Sequence, residues 1–413
     1  MMNNGLPDPG EAGLSFGQRL KFTRTRRGMT REVLAGLVGK SASWVKAVEN
    51  GRLGTPKLSV LLRLAEVLRV RDLAELTGDQ RMPVDLFTGP GHARLAAVRA
   101  AVNSVPLADP RTAPPPAHIR ARLDSAWRAR HAAPNHREVI GALLPDLIAD
   151  AQAAARQEQS REQWRSAQAL LAEVYALAQF FLAYQPAQDL LWRVAERGMV
   201  AAQDSGDPHA IGVAAWLMAQ AHRDSGDWDA ADQVTARTAD ELARRLPDAD
   251  HDVLAVWGAL TFEAGYTAAR RGEAGTAWGR WDTAAAVAGR LPADYYHPVT
   301  SFSRVIMGAH AVTVAVELRA GGESVRQATR AAGDAIPSRP RRARHAIEQA
   351  RAFHLDNQPE TAMSVLQSAH DAAPETIRYN GYARRIILEE LDAASPQRRN
   401  RAAELAEKSG VLV

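Results

Sequence analysis

From residue 40 to residue 52 the chain reads KSASWVKAVENGR. Its side chains hold, position and donate, and nothing in the run is built to cleave a bond. Ser43 carries a hydroxyl that can donate to or accept from a base edge, and Ala42 offers a methyl that can meet that of a thymine. Lys46 reaches acceptors on guanine or a phosphate, with Ala47 deeper along the same face. Lys40 and Ser41, at a helix start, are placed to hold a phosphate on free backbone N–H groups. The surrounding charge fits a polyanion. Residues 15–78 hold thirteen Lys or Arg against five Asp or Glu, while the whole chain nets only +4, so the remainder is mildly acidic. A basic block beside an acidic remainder points to nucleic acid for the first part alone.

Other chemistries find no footing. The chain has no cysteine, which excludes disulfides, thiolate nucleophiles and cysteine-bound metals. Its histidines lack metalloprotease spacing. DADHD at 248–252 starts like a calcium loop but has Val253 and Ala259 where glycine and an acid are needed. GPGH at 89–92 has no strand before it, so it is no dinucleotide loop. No enzymatic activity, cofactor or metal is expected. No apolar run reaches the ~18–20 residues that cross a bilayer, and the start of the chain lacks a secretion pattern, so no membrane partner and a cytoplasmic address are expected.

The positioning elements can be read from spacing. Two helices that cross steeply need a small residue at the contact, which Ala35 supplies, and a turn tolerant of positive φ, which Gly39 supplies. Leu34, Val38, Val45 and Val48 are the apolar positions that close the unit, and Thr30 and Ser41 stand where N-caps belong. A helix is expected before this pair, in SFGQRLKFTRTRRG, and two after it, in KLSVLLRLAEVLRVRDLAELTG.

The chain divides by composition into four parts. Residues 1–14 read as disordered, 15–78 as a DNA-binding domain, 79–117 as a linker with one helix near His92, and 118–413 as helical repeats. In the last part, turns recur at Ala183, Ser225, Arg271, Ala320 and Asp356, with Gln185, Gly226, Gly272, Gly322 and Asn357 as landmarks. The fold class expected is all-α throughout.

On these residues, 15–78 resembles the lambda-repressor-like (XRE) helix-turn-helix domain, a five-helix unit. The C-terminal part is similar in layout to tetratricopeptide hairpins, whose repeats run near ~34 residues. Together they look like bacterial regulators with a helical sensor half, peptide-responsive and large actinobacterial ones among them. The resemblance implies a recognition helix at about Ser41–Glu49 lying in the major groove of an operator, and a homodimer. It implies that Arg31, Asn50, Arg52 and Lys57 grip the DNA backbone. Trp44 matches a position often aromatic, read as packing at the domain edge with a phosphate contact available. Arg24 and Glu49 match a pair that bridges the first helix to the recognition helix.

A peptide or small-molecule effector is expected on the concave face of the repeats. Its candidate aromatics are Trp216, Trp257 and Tyr266, and its polar candidates are Gln220, Arg223, Glu263 and Arg270. His310, Arg344 and Arg351 complete the candidate groove. The rival readings are a protein-interaction scaffold with incidental DNA affinity and an antitoxin-like repressor.

Overall fold

The computed structural model describes residues 15–56, 58–68, 70, 73–77, 91–104, 112–157 and 160–411. All regular structure among these is helical, in two compact units that divide after Pro90. The expectations for residues 1–14, for Lys57 and for residues 79–90 fall outside the described residues.

The first unit holds α1 (Phe16–Arg26), α2 (Arg31–Val38), α3 (Ala42–Glu49), α4 (Leu58–Leu68) and α5 (Ala74–Thr77). Ser15, Thr30 and Ser41 are the N-caps of α1, α2 and α3, each side chain accepting a backbone N–H of the first turn. Such a cap is worth ~1 kcal/mol because the first N–H groups of a helix have no partner inside it. The turn between α2 and α3 is made at Gly39, whose φ of 68° few other residues adopt. Leu34, Ala35, Val38, Val45 and Val48 are all buried, joined by Leu20, Leu61, Leu64 and Leu68.

Helix α1 can approach α3 only because residue 17 has no side chain. A Cβ on Gly17 would stand 2.2 Å from the Val48 carbonyl oxygen and 2.9 Å from that of Glu49. Backbone oxygens cannot swing aside, so Gly17→Ala must push the helices apart. A loss of ~1–3 kcal/mol is expected from this overpacking, read as earlier exchange of α1 and α3 amides. Unchanged exchange would show that the crossing is looser than this geometry.

The second unit runs from Gly91 to Val411. It begins with α6 (Leu95–Asn103), α7 (Pro116–Ala132) and α8 (His136–Arg156). Five antiparallel pairs follow, each packed along its length: α9 (Arg161–Leu182) with α10 (Gln188–Ser205), α11 (Pro208–Ser225) with α12 (Trp228–Ala243), α13 (His251–Arg271) with α14 (Ala274–Arg290), α15 (Ile306–Glu317) with α16 (Gly321–Arg330), and α17 (Arg339–Leu355) with α18 (Pro359–Ala372). The chain then adds α19 (Pro374–Tyr379), α20 (Gly381–Leu391) and α21 (Pro396–Ser409).

Two expectations need correcting. The unit starts at Gly91, earlier than 118, because Val98 and Val102 of α6 are fully buried in its core. The hairpin turns are made at left-handed residues Tyr184, Gly226, Gly272, Arg319 and Asn357. Two landmarks were therefore misplaced: Gln185 follows the true turn residue, and Gly322 lies inside α16. The DADHD run proves to be a helix start, with Asp250 capping α13 by accepting from the Val253 N–H at 2.9 Å.

The row of hairpins curls back on its own beginning, for α7 packs against α17. Glu375 of α19 holds this closure. Its carboxylate accepts the N–H of Arg137 at 2.6 Å and of Glu138 at 3.3 Å, capping the first turn of α8 from the far end of the unit. Among the described residues no helix is long and apolar enough to cross a membrane.

Candidate nucleic-acid interface

Helix α3 presents two different sides. Val45, Val48 and Glu49 are buried, whereas Ser43 and Lys46 are exposed, and so are Lys40 and Ser41 before the helix and Asn50 and Arg52 after it. This division follows from helical spacing, because residues three and four apart share a face. The side that points away from the core therefore carries two ammonium groups, a guanidinium, an amide and two hydroxyls.

The start of α3 is fixed by Ser41. Its Oγ accepts from the Trp44 N–H at 3.1 Å and shares a hydrogen bond of 2.8 Å with the Ser43 hydroxyl. Trp44 is half-buried against the core, and the Lys40 ammonium lies over its ring at 5.9 Å. Ala42 and Ala47 are half-buried, so each leaves a small apolar surface between the polar groups.

The buried side is locked by charge. Glu49 accepts from Arg24 Nε at 2.5 Å and from Arg31 Nε at 2.7 Å. Arg24 also donates through Nη1 to the Met29 carbonyl at 2.5 Å, tying α1, the loop before α2, and α3 together. Burial alone would raise the Glu49 carboxyl, but the two guanidiniums outweigh it and hold it below its usual range. Arg31 thus has a structural bond as well as a partly exposed surface, which narrows the freedom its expected phosphate contact would have.

The candidate effector residues separate into two groups. Trp216 and Trp257 pack against the core, and Trp257 Nε1 donates to the Ala239 carbonyl at 3.0 Å. Gln220 is half-buried. The others converge. Arg223 pairs with Glu263 and lies over the Tyr266 ring at 4.1 Å. Glu317 joins Arg351 at 2.8 Å and Arg270 at 3.8 Å, and Glu348 joins Arg344 and Arg351, each at 2.7 Å. His310 is stacked on Phe262 with ring centres 3.5 Å apart, and burial followed by the nearby Arg341 holds it uncharged. Sequence reasoning did not find Glu317, Glu348 or Tyr382, whose ring takes the Arg351 guanidinium at 3.8 Å.

The helix-turn-helix geometry places the first unit in a known class. A helix-turn-helix domain profile matches residues 15–77, so this segment is a helix-turn-helix domain. The HTH-type transcriptional repressor RghR of Bacillus subtilis (strain 168) is 39% identical over 56 residues, 14% of this chain and 42% of the relative. The uncharacterised HTH-type regulator RghRB of the same organism is 42% identical over 55 residues, 13% of this chain and 40% of that one. The chain thus spans about two-fifths of the length of these curated relatives. The crystal structure of Bacillus thuringiensis PlcR in complex with the peptide PapR7 and DNA aligns over 85% of this chain and 99% of its own, at 11% identity and a TM-score of 0.32.

Proposed function

We propose that the chain is a cytoplasmic, sequence-specific DNA-binding transcriptional regulator that acts as a homodimer. The second unit supplies dimerisation, sensing of an effector, or both. One observation carries the DNA-binding part: a capped, eight-residue helix is locked on its inner side by Glu49 and exposes Ser43 and Lys46, with Lys40, Asn50 and Arg52 at its ends. Held this way the helix can enter a major groove end-on, with Ser43 and Lys46 toward base edges and Lys40, Ser41 and Arg52 toward phosphates. A single domain of this size makes few base contacts, so pairing on a palindromic operator is the natural route to specificity. The helix-turn-helix profile match over residues 15–77 and the likeness of a stretch of the chain to an HTH-type transcriptional repressor support the same reading.

Arg52→Ala should weaken all sequences alike and reduce the salt slope of binding by about one counterion, since a lost phosphate contact carries no sequence information. Ser43→Ala should shift preference at one operator position by ~1 kcal/mol or more. A selection of bound sequences followed by salt-titrated gel shifts measures both. If wild type binds only weakly, and salt abolishes that binding whatever the sequence, the scaffold reading is the right one.

A further inference from the structure

Between α7, α9 and α11 the second unit holds a cavity of about 120 Å³. Its polar lining is Arg120 of α7, Glu173 of α9, and Asp207 and His209 at the start of α11, all four partly exposed. Alanines of α9 and α11, with Val213 and Val299, make the rest of the wall apolar. Val299 reaches it from the connection between α14 and α15, where residues 297–302 close on themselves. There the His297 N–H donates to the Phe302 carbonyl at 3.1 Å, and the Ser301 N–H to the His297 carbonyl at 2.9 Å.

The polarity of His209 follows from a chain of hydrogen bonds. The Thr300 N–H donates to His297 Nδ1 at 3.0 Å, so an uncharged His297 carries its proton on Nε2. Burial, followed by the neighbouring His209, pushes His297 down to about 3 and keeps it uncharged. Its Nε2 meets His209 Nε2 at 2.8 Å with the ring centres 5.1 Å apart, so the rings meet head-on. That is a hydrogen bond, and not two nitrogens turned toward one metal ion. His209 accepts in it and therefore has its own N–H at Nδ1. The other lining groups also keep capacity to spare. Arg120 meets Glu173 Oε2 at 2.5 Å and Asp124 at 3.6 Å through Nη1 alone, which among the described residues leaves its Nε and Nη2 for other acceptors. Asp207 uses Oδ1 to accept the His209 N–H at 3.0 Å and keeps Oδ2, as Glu173 keeps Oε1.

Each side of the cavity thus offers one carboxylate oxygen and one N–H donor: Glu173 and Arg120 from α9 and α7, Asp207 and His209 from α11. We propose that this cavity binds a small α-amino acid with a short apolar side chain. Its ammonium carries three donors for Glu173 and Asp207, its carboxylate accepts from Arg120 and His209, and its side chain lies against Val213 and Val299. A plain amine or a plain carboxylate would serve only half of this lining. The volume is about that of four water molecules in the liquid, which admits a few carbon atoms and is too small for an aromatic side chain. This names a ligand class for the effector in the reading above and rests on the sensing part of it. The test uses no DNA, so failure to bind an operator leaves the site standing.

The full chain is titrated by calorimetry with L-alanine, L-valine and L-tryptophan. The tighter binder is then compared with its amide, which lacks the carboxylate, and with the simple acid that lacks its ammonium. Saturable binding at one site per chain is expected for alanine and valine, and none for tryptophan. Each truncated compound should bind ~10–100-fold more weakly than the amino acid. Asp207→Asn keeps a good N-cap for α11, and Arg120 is well exposed, so Asp207→Asn and Arg120→Gln should both fold with a Tm near that of wild type. Each should lose about tenfold in affinity. Arg120→Gln should also erase most of the preference for the amino acid over its amide, which a purely structural role would leave intact. No saturable heat with alanine or valine, tryptophan bound as tightly as they are, a truncated compound bound as tightly as the amino acid, or unchanged affinity in both variants would each overturn the assignment.

Discussion

Glu49→Ala is expected to destabilise the first unit strongly while the second stays intact. The carboxylate is fully enclosed and accepts from Arg24 and Arg31 at once. Arg24 is nearly as enclosed, so deleting Glu49 leaves a guanidinium inside the protein with, among the described residues, only the Met29 carbonyl as acceptor. Breaking a buried pair from one side costs ~3–5 kcal/mol, mostly through the survivor's lost solvation. Small domains have ~5–15 kcal/mol in total, so one substitution removes a large part of it. Hydrogen exchange on the full chain separates the units: amides of 15–56 should lose protection while those of 160–411 keep theirs. DNA binding should vanish in the same variant, although Glu49 touches no DNA. Wild-type protection over 15–56 would show that the bridge is not what fixes α3.

The domain that carries α3 was legible because its constraints are local. A left-handed turn at Gly39, caps at Thr30 and Ser41, and buried positions three or four apart all lie within a stretch of about twenty residues. The Arg24–Glu49 bridge was legible only through family resemblance, since the two residues meet across 25 positions. The second unit was harder for physical reasons. Its turns need left-handed backbone, which a reader looks for at glycine, yet Tyr184 and Arg319 hold that conformation at two of them. Its interior ion pairs join residues such as Glu317 and Arg351 from different hairpins, and no periodicity announces such a partner. Helix α6 read as linker because Val98 and Val102 look alike on a solvated amphipathic helix and on a buried one. Trp257, expected among the ligand-facing aromatics, packs partly against the core, and its indole N–H serves the Ala239 carbonyl.

Glu317→Gln should destabilise the second unit at neutral pH, and the deficit should shrink as the solution is acidified. Glu317 is about nine-tenths buried and meets Arg351 at 2.8 Å, with Arg270 and the Tyr266 hydroxyl at 3.8 and 3.5 Å. Burial pulls its pKa upward, but Arg351 and Arg270 together overcome that and hold the carboxyl down at about 2, against an ordinary 4.5. A carboxyl depressed on folding contributes stability that is complete above its unfolded value and drains away as pH falls toward its folded one. The window is therefore pH 4.5 down to about 2, and the contribution within it is roughly 3 kcal/mol. Glutamine keeps the shape and one acceptor but cannot titrate, so the variant should be weaker by about this amount at pH 7 and close to wild type near pH 2.5. Arg351 retains Glu348 in the variant, which limits the damage and makes folding of the variant expected. Urea unfolding of both proteins at pH 7, 4 and 3 reads the gap directly. A gap that stays constant from pH 7 to 3 would mean that the Glu317 carboxyl titrates alike in the folded and unfolded chains, so that Arg351 and Arg270 do not hold it down.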